Sequence, residues 1–271
     1  MLCAGNKGNS VKIATFNING IKARLPRLLE WLDEFAPDVA CLQEVKSIDE
    51  NFPRLEFEER GWNVETHGQK SFNGVAILSK EPIEDVMRRL PSLDGGDAME
   101  DEQARYMEAT VRGVRIATIY LPNGNPRPGP KFDYKLDWMQ RLCAQAERLL
   151  ASEMPTVLAG DYNVIPEDVD CHNPPAWVED ALTQPESRGY LRAIINLGYT
   201  DALRQIQPIG PAYSYWDFQR GAWQKDHGIR IDHLLLSAQA ADRLVDCKVD
   251  RIPRGKEKPS DHTPVWVELD I

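Results

Sequence analysis

Apolar and polar positions along the chain follow two rhythms, and their order sketches a mixed α/β fold. Residues 11–16, VKIATF, read as a strand, and Leu25, Leu28, Leu29 and Leu32 then recur at helical spacing. Short apolar runs at 38–42 and 74–78 predict further strands. Residues 106–111 and 114–121 flank Arg112-Gly113, a hairpin signal that implies antiparallel pairing and so rules out a purely parallel, doubly wound sheet. The stretch NGNPRPGP at 123–130 is a breaker-rich loop. Beyond it Leu136, Met139, Leu142, Ala146 and Leu149 share one face of a predicted helix, and 156–159 returns to strand. Strands recur at 229–236, 245–252 and 263–269. No repeat, low-complexity tract or composition shift divides the chain, so a single domain is expected over 11–271, preceded by a flexible segment at 1–10.

Composition narrows the function. With 271 residues, 42% of them hydrophobic, the chain can bury a full core. Its net charge of -10 argues against indiscriminate polyanion binding, so a nucleic-acid partner would need a local basic face or a metal to overcome the global sign. The opening MLCAGNKGNS lacks the apolar stretch of a secretory signal, and no run approaches the roughly 20 apolar residues that cross a bilayer. The expectation is a soluble, cytoplasmic protein without membrane contact. Five scattered cysteines without a C-x-x-C pair read as buried or incidental thiols in a reducing compartment.

Polar residues gather where the apolar runs stop: Asn17 and Asn19, Glu44, Tyr120 and Asn123, Asp161 and Asn163, Asp232, and finally Asp261-His262 between two prolines. Strand ends in α/β proteins converge on a crevice, which makes the coincidence informative. Singly each is weak, because Asn and Asp at strand ends most often form turns or caps, and Glu44 before Lys46 reads equally as a surface ion pair. Carboxylates and amides suit Mg²⁺, or Mn²⁺ as the alternative. Zinc would want more His or Cys than the five histidines offer, and none of these lies in an H-E-x-x-H frame. Phosphoryl transfer fits this inventory, since it demands charge neutralisation and positioning more than a special nucleophile. No G-x-S-x-G elbow, Walker loop or dinucleotide fingerprint is present.

The ordered stretches FNING, LQE, YLPN, GDYNV, RID and SDH, spread over residues 16–262, resemble the exodeoxyribonuclease III family of abasic-site endonucleases, within the endonuclease/exonuclease/phosphatase superfamily. That resemblance implies a four-layer αββα sandwich of two mixed, largely antiparallel sheets flanked by helices. It implies that Glu44 is the principal Mg²⁺ ligand, with Asn17 and Asn19 beside it and Asp261 in the metal's shell. Asp161 either deprotonates the attacking water or aligns it; the second reading is preferred, because an unperturbed Asp pKa of about 3.9 is a poor match to a base at neutrality. Asn163 resembles the residue that fixes that water, and Tyr120 and Asn123 resemble phosphate contacts. Asp232 is similar to the acid that holds the His262 imidazole, fixing its tautomer and favouring its cation.

By the same resemblance Tyr215, Trp216, Ile229 and Ile231 wall a narrow apolar sugar pocket, and Arg230 joins the DNA-contacting set. Ile229 departs from the family, where some members carry tryptophan. Basic residues at 22–24, 127–135, 220–230 and 251–258 are candidates for a positive face. The expected activity is Mg²⁺-dependent hydrolysis 5′ of abasic sites, with 3′-5′ exonuclease and 3′-phosphodiesterase or phosphatase action. The expected partner is duplex DNA with abasic sites or blocked 3′ ends, and the chain is expected to act as a monomer. Two alternatives stand: a metal-dependent phosphoesterase for other esters, and a DNA-binding module without catalysis.

Overall fold

In the computed structural model, residues 10–97 and 101–271 are described. Among the described residues twelve strands are interspersed with helices. They are β1 (Ser10–Asn17), β2 (Val39–Gln43), β3 (Asn63–His67), β4 (Val75–Ser79), β5 (Glu84–Arg88) and β6 (Tyr106–Val111). They continue as β7 (Val114–Tyr120), β8 (Thr156–Asp161), β9 (Thr200–Asp201), β10 (Asp232–Leu236), β11 (Leu244–Val249) and β12 (Val265–Asp270). They form two six-stranded sheets, ordered β11-β12-β1-β2-β4-β3 and β5-β6-β7-β8-β10-β9. The expected flexible segment lies outside the described residues except for Ser10, which pairs with Asp270 at the start of β1.

Each sheet has the same plan, a single parallel pair set among antiparallel neighbours. In the first sheet β1 runs parallel to β2, and helix α1 (Ile21–Phe35) makes the crossover. In the second β7 runs parallel to β8, with α2 (Pro130–Ala151) between them. A parallel pair needs such a crossover, and it brings the carboxyl ends of both strands to the same edge. Asn17 therefore ends beside Gln43, and Tyr120 ends beside Asp161.

Alternation along the strands builds the layers. One set of side chains, including Val11, Ile13, Val39 and Cys41 from the first sheet and Ile116, Val157, Ala159 and Leu234 from the second, packs between the sheets as their common core. The alternate set, Ala14, Phe16, Ala40 and Leu42, packs outward against Leu28, Trp31 and Leu32 of α1. On the far side Ala117, Ile119 and Leu158 meet Trp138, Met139 and Leu142 of α2. This period of two against a helical stripe is the αββα sandwich.

Two local features set the register near the cleft. Arg112 and Gly113 take φ of 50° and 76°, the left-handed pair that a tight hairpin requires, and this aligns β6 with β7. A Cβ on Gly160 would lie 2.0 Å from the Ile119 carbonyl, so only glycine lets β8 approach β7 closely enough to hold Asp161 level with Tyr120.

Several expectations shift by a few residues. The strand read at 229–236 begins at Asp232, because Ile229 makes only isolated bridges to Cys171 and Tyr215. The run at 245–252 ends at Val249, and Pro253 then opens a short 3₁₀ turn. Cys41, Cys143, Cys171 and Cys247 are free thiols, and Cys3 lies outside the described residues. Among the described residues no helix is long and apolar enough to cross a membrane.

Candidate active site

The carboxyl ends of both parallel pairs open onto one cleft, and the loop before β12 closes it. Asn17 is the junction between the sheets: its fully buried side-chain amide donates to Glu44 Oε1 at 2.9 Å and to Asp161 Oδ2 at 2.9 Å. The Asn17 carbonyl oxygen Oδ1 accepts the Asn19 backbone N–H at 3.0 Å. Ser260 Oγ donates to the Asn17 main-chain carbonyl at 2.7 Å and accepts from the His262 N–H at 3.2 Å, tying the last loop to β1. Residues nearly 250 positions apart are thereby brought within hydrogen-bonding range.

The backbone is strained where these side chains leave their strands. Asn19, Glu44, Lys46 and Asn163 have φ of 48°, 51°, 51° and 47°. Asn tolerates the left-handed region, whereas Glu and Lys rarely enter it, and such conformations concentrate at functional sites. The turn aims Glu44 back into the cleft, where Lys46 Nζ meets its Oε2 at 2.7 Å. Burial works against the Glu44 carboxylate, but the Lys46 ammonium and the Asn17 amide outweigh it and hold its pKa below the usual range.

Asp161 is 1% exposed and accepts the Asn163 N–H at 2.9 Å. Burial pushes its carboxyl up to about 7; the His262 cation opposes this shift and the Asp232 charge adds to it. His262 Nδ1 donates to Asp232 Oδ2 at 2.9 Å, and its Nε2 faces Asp161 Oδ2 at 3.7 Å. Although burial disfavours the imidazolium, Asp232 and Asp161 together raise the His262 pKa to about 10. Asp232 is itself held by Ser214, whose Oγ donates to Oδ2 at 2.6 Å and accepts the Asp232 N–H at 3.1 Å. The Tyr215 ring packs edge-on against the imidazole at 4.9 Å.

On the opposite wall Asn123 Nδ2 donates to Asn163 Oδ1 at 3.0 Å, while Asn163 Nδ2 donates to the Leu121 carbonyl at 3.0 Å. The Arg105 guanidinium stacks over the Tyr120 ring at 4.7 Å. Burial and the Glu44 and Asp161 charges keep the Tyr120 hydroxyl protonated well beyond the usual range, so it is a donor. Asn19 Nδ2 donates to Asp261 Oδ1 at 3.0 Å, and Lys46 Nζ donates to Asn19 Oδ1 at 2.5 Å.

Donor atoms of Glu44, Asp161 and His262 lie within 4.8 Å of one another and could hold a metal ion. His262 is the weak member of this set, because an imidazolium has no lone pair to give. That leaves hard oxygen donors, which fit Mg²⁺ or Mn²⁺ better than zinc. Asp261 falls outside the cluster and faces Asn19.

Beside Tyr215 a cavity of about 570 Å³ is lined by Tyr215 and Ile229 together with His172, Trp177, Arg220 and His227. The stacked imidazoles of His172 and His227, 4.3 Å apart, form part of its wall and were not singled out by any sequence motif. Trp216 and Ile231 do not line it. Trp216 is 0% exposed and packs with Tyr213 and Ala222, its indole N–H bonded to Asp226 at 3.0 Å. Ile231 is buried behind that wall, in a cluster with Phe132, Ile165, Leu182 and Ile229.

Arg230 also departs from the expectation of a DNA contact. It is 1% exposed, donating to Asp170 at 2.7 Å and 3.1 Å and to Asp201 at 2.7 Å. Its guanidinium is held by these two carboxylates, and Arg204 shares Asp170 with it. Replacing Arg230 by Met leaves Asp170 to Arg204 but takes the guanidinium from Asp201, and is expected to cost about 3 kcal/mol of stability, read from the urea midpoint. The proposed basic face shrinks for the same reason: Arg127, Arg251 and Lys256 pair with Glu179, Asp226 and Glu30. Ser260, which holds His262, stands in the SDH motif without a role assigned to it; Ser214 and Lys46, which hold Asp232 and Glu44, carried no sequence signal beyond their nearness to those motifs.

Comparison with known proteins agrees with this geometry. Residues 14–262 match the Endonuclease/Exonuclease/phosphatase family. Exodeoxyribonuclease III of Haemophilus influenzae is 32% identical, over 96% of this chain and 100% of its own length. Among solved structures, the 3′ phosphatase NExo from Neisseria bound to product DNA hairpin superposes with a TM-score of 0.92 at 38% identity, covering 96% of this chain and 100% of that one. An AP endonuclease from Archaeoglobus fulgidus gives 0.90 at 37% identity, with the same coverage of both chains. Matched along almost its whole length in sequence and in fold, the chain belongs to the endonuclease/exonuclease/phosphatase family, in its exodeoxyribonuclease III branch.

Proposed function

We propose that this chain is a divalent-metal-dependent DNA repair nuclease that hydrolyses the phosphodiester 5′ of an abasic site in duplex DNA and trims or unblocks 3′ ends. The observation that carries this reading is the Asn17 junction, where one amide joins the Glu44 carboxylate of the first sheet to the Asp161 carboxylate of the second. That nearness supports a cation-binding group and a base that act together in one cleft. The relatives named as exodeoxyribonuclease III, 3′ phosphatase and AP endonuclease support the substrate class.

The residues divide the work by their chemistry. Glu44, with Asn17 next to it, would hold Mg²⁺. A hard cation bound there supplies charge neutralisation at a phosphate oxygen. Asp161 accepts the proton of the attacking water, for which a pKa lifted to about 7 suits it better than the ordinary value. This favours the base over the mere water-orienter. Asn163 and Asn123 align that water and the phosphate, and the cationic His262 and the Tyr120 hydroxyl donate to the oxygens that gain charge. Water adds to phosphorus as the bond to the 3′ oxygen breaks, leaving a 3′-hydroxyl on the upstream strand. Tyr215 and Ile229, which line the neighbouring cavity, would receive the sugar. We take the acting species to be the monomer, in the cytoplasm.

The test is a labelled duplex carrying one abasic analogue, compared with intact duplex and with a small phosphate ester, with and without Mg²⁺. Preference for the abasic duplex supports the proposal, and preference for the small ester transfers it to the phosphoesterase reading. EDTA should abolish cleavage. Glu44→Ala should raise the Mg²⁺ concentration for half-maximal rate about tenfold or more, the range seen when a metal site loses a supporting group. An unchanged metal titration would remove Glu44 from the ligand set.

A further inference from the structure

Lys135 has no place in the chemistry above, yet it is buried at the back of the site. It lies in the second turn of α2, and its side chain is 0% exposed. Its ammonium makes two hydrogen bonds, to the Asn163 main-chain carbonyl at 2.6 Å and to the Asn123 main-chain carbonyl at 3.2 Å. A buried amine costs stability unless it is well partnered, and a methionine of similar length would fill the same space without that cost. Such breaches of local rules concentrate where function demands them.

The surroundings are shaped to the lysine. Gly124 takes φ of 93°, and a Cβ there would lie 2.6 Å from Lys135 Cδ, so the glycine both makes the turn and leaves room for the stem. The turns at Asn123 and Asn163 belong to different loops, one after β7 and one after β8. Their side chains meet through a 3.0 Å bond, while a single ammonium ties their carbonyls together from behind. Asn163 itself sits at φ 47°, a conformation that needs support from its neighbours.

We infer that Lys135 is a positioning residue: by clamping the Asn123 and Asn163 carbonyls it sets the side-chain pair that aligns water and phosphate, linking α2 to the site without touching substrate. This rests on the proposed function for its kinetic consequence but not for the clamp itself. Burial pushes the amine down to about 7, with Asp161 and Asp180 pulling the other way.

The test is Lys135→Met, with Lys135→Gln, whose amide is too short to bridge both carbonyls, as the second variant should the first fail to fold. Circular dichroism and the urea midpoint report folding. In ¹⁵N spectra without substrate, the side-chain amide signals of Asn123 and Asn163 are expected to move. On the abasic duplex kcat should fall about 10- to 100-fold with KM little changed, the scale of one displaced positioning group. Placed on top of Asn163→Ala, the same change should add almost nothing, because the clamp acts through that side chain. Unmoved amide signals, a wild-type kcat, or an equal loss in both backgrounds would each overturn the inference. If the unmodified chain cleaves no abasic duplex, the functional reading fails by itself, and the amide signals still decide the clamp.

Discussion

Replacing Asp161 by asparagine is expected to lower turnover on an abasic duplex by about 10³-fold or more, within the range that a general base contributes when the pocket around it is intact. The substitution keeps the shape of the side chain and one oxygen to accept the Asn163 N–H, now bonded at 2.9 Å. It removes the basicity. The carboxylate is 1% exposed and its ionised form is disfavoured there, which offsets the loss of the Asn17 amide bond to Oδ2, so folding should stay intact. Single-turnover cleavage, read alongside circular dichroism, separates the two effects. A folded Asp161→Asn chain that cuts at nearly the original rate would remove the base from the mechanism, and with it the reason for bringing β8 to this edge.

The His262 imidazolium gives the second large effect, a similar fall of about 10³-fold for His262→Ala, since it removes a charged donor aimed at developing negative charge. A finer test is Asp232→Asn. Asp232 accepts from Nδ1 at 2.9 Å and is the foremost influence raising the imidazole pKa to about 10. Without that carboxylate the pKa must fall, so the alkaline limb of the kcat/KM profile should move to lower pH while activity on the acid side changes less. A limb that stays in place would show that the imidazolium is not the group titrating. The same shift bears on stability. A pKa raised in the fold means the contribution is complete below about 6.5 and is lost as pH rises through about 10. The wild-type urea midpoint should therefore decline across that window more steeply than that of His262→Ala.

The αββα architecture was legible where apolar periodicity is strong. The strands near 11–16, 106–121 and 156–159 and the helices from Leu25 and Leu136 appear where the pattern placed them, because each buries a regular face. Elements with little to bury escaped. β5, EDVMR, is an edge strand with no fully buried side chain, and its sequence shows no alternation to read. The helix Pro185–Asn196 carries Gly189 in its middle and buries only Ser187, Leu191 and Ile194, too sparse a stripe to stand out.

At the site the division is different. Linear order alone singled out Asn17, Glu44, Tyr120, Asp161, Asn163, Asp232 and His262, because polar residues that interrupt apolar runs mark strand ends, and strand ends are where a sheet opens. It could not distinguish Arg230 from a DNA contact, or Trp216 and Ile231 from pocket walls, since a side chain's direction depends on which neighbours arrive across the fold. Only tertiary contacts brought Asp170 and Asp201 to the guanidinium, and only the packing of the two sheets set Asn17 between two carboxylates. Local periodicity is a property of residues a few positions apart, whereas the electrostatics of this cleft arise between groups separated by as many as 144 residues at Asn17 and Asp161, and by 242 at Asn19 and Asp261.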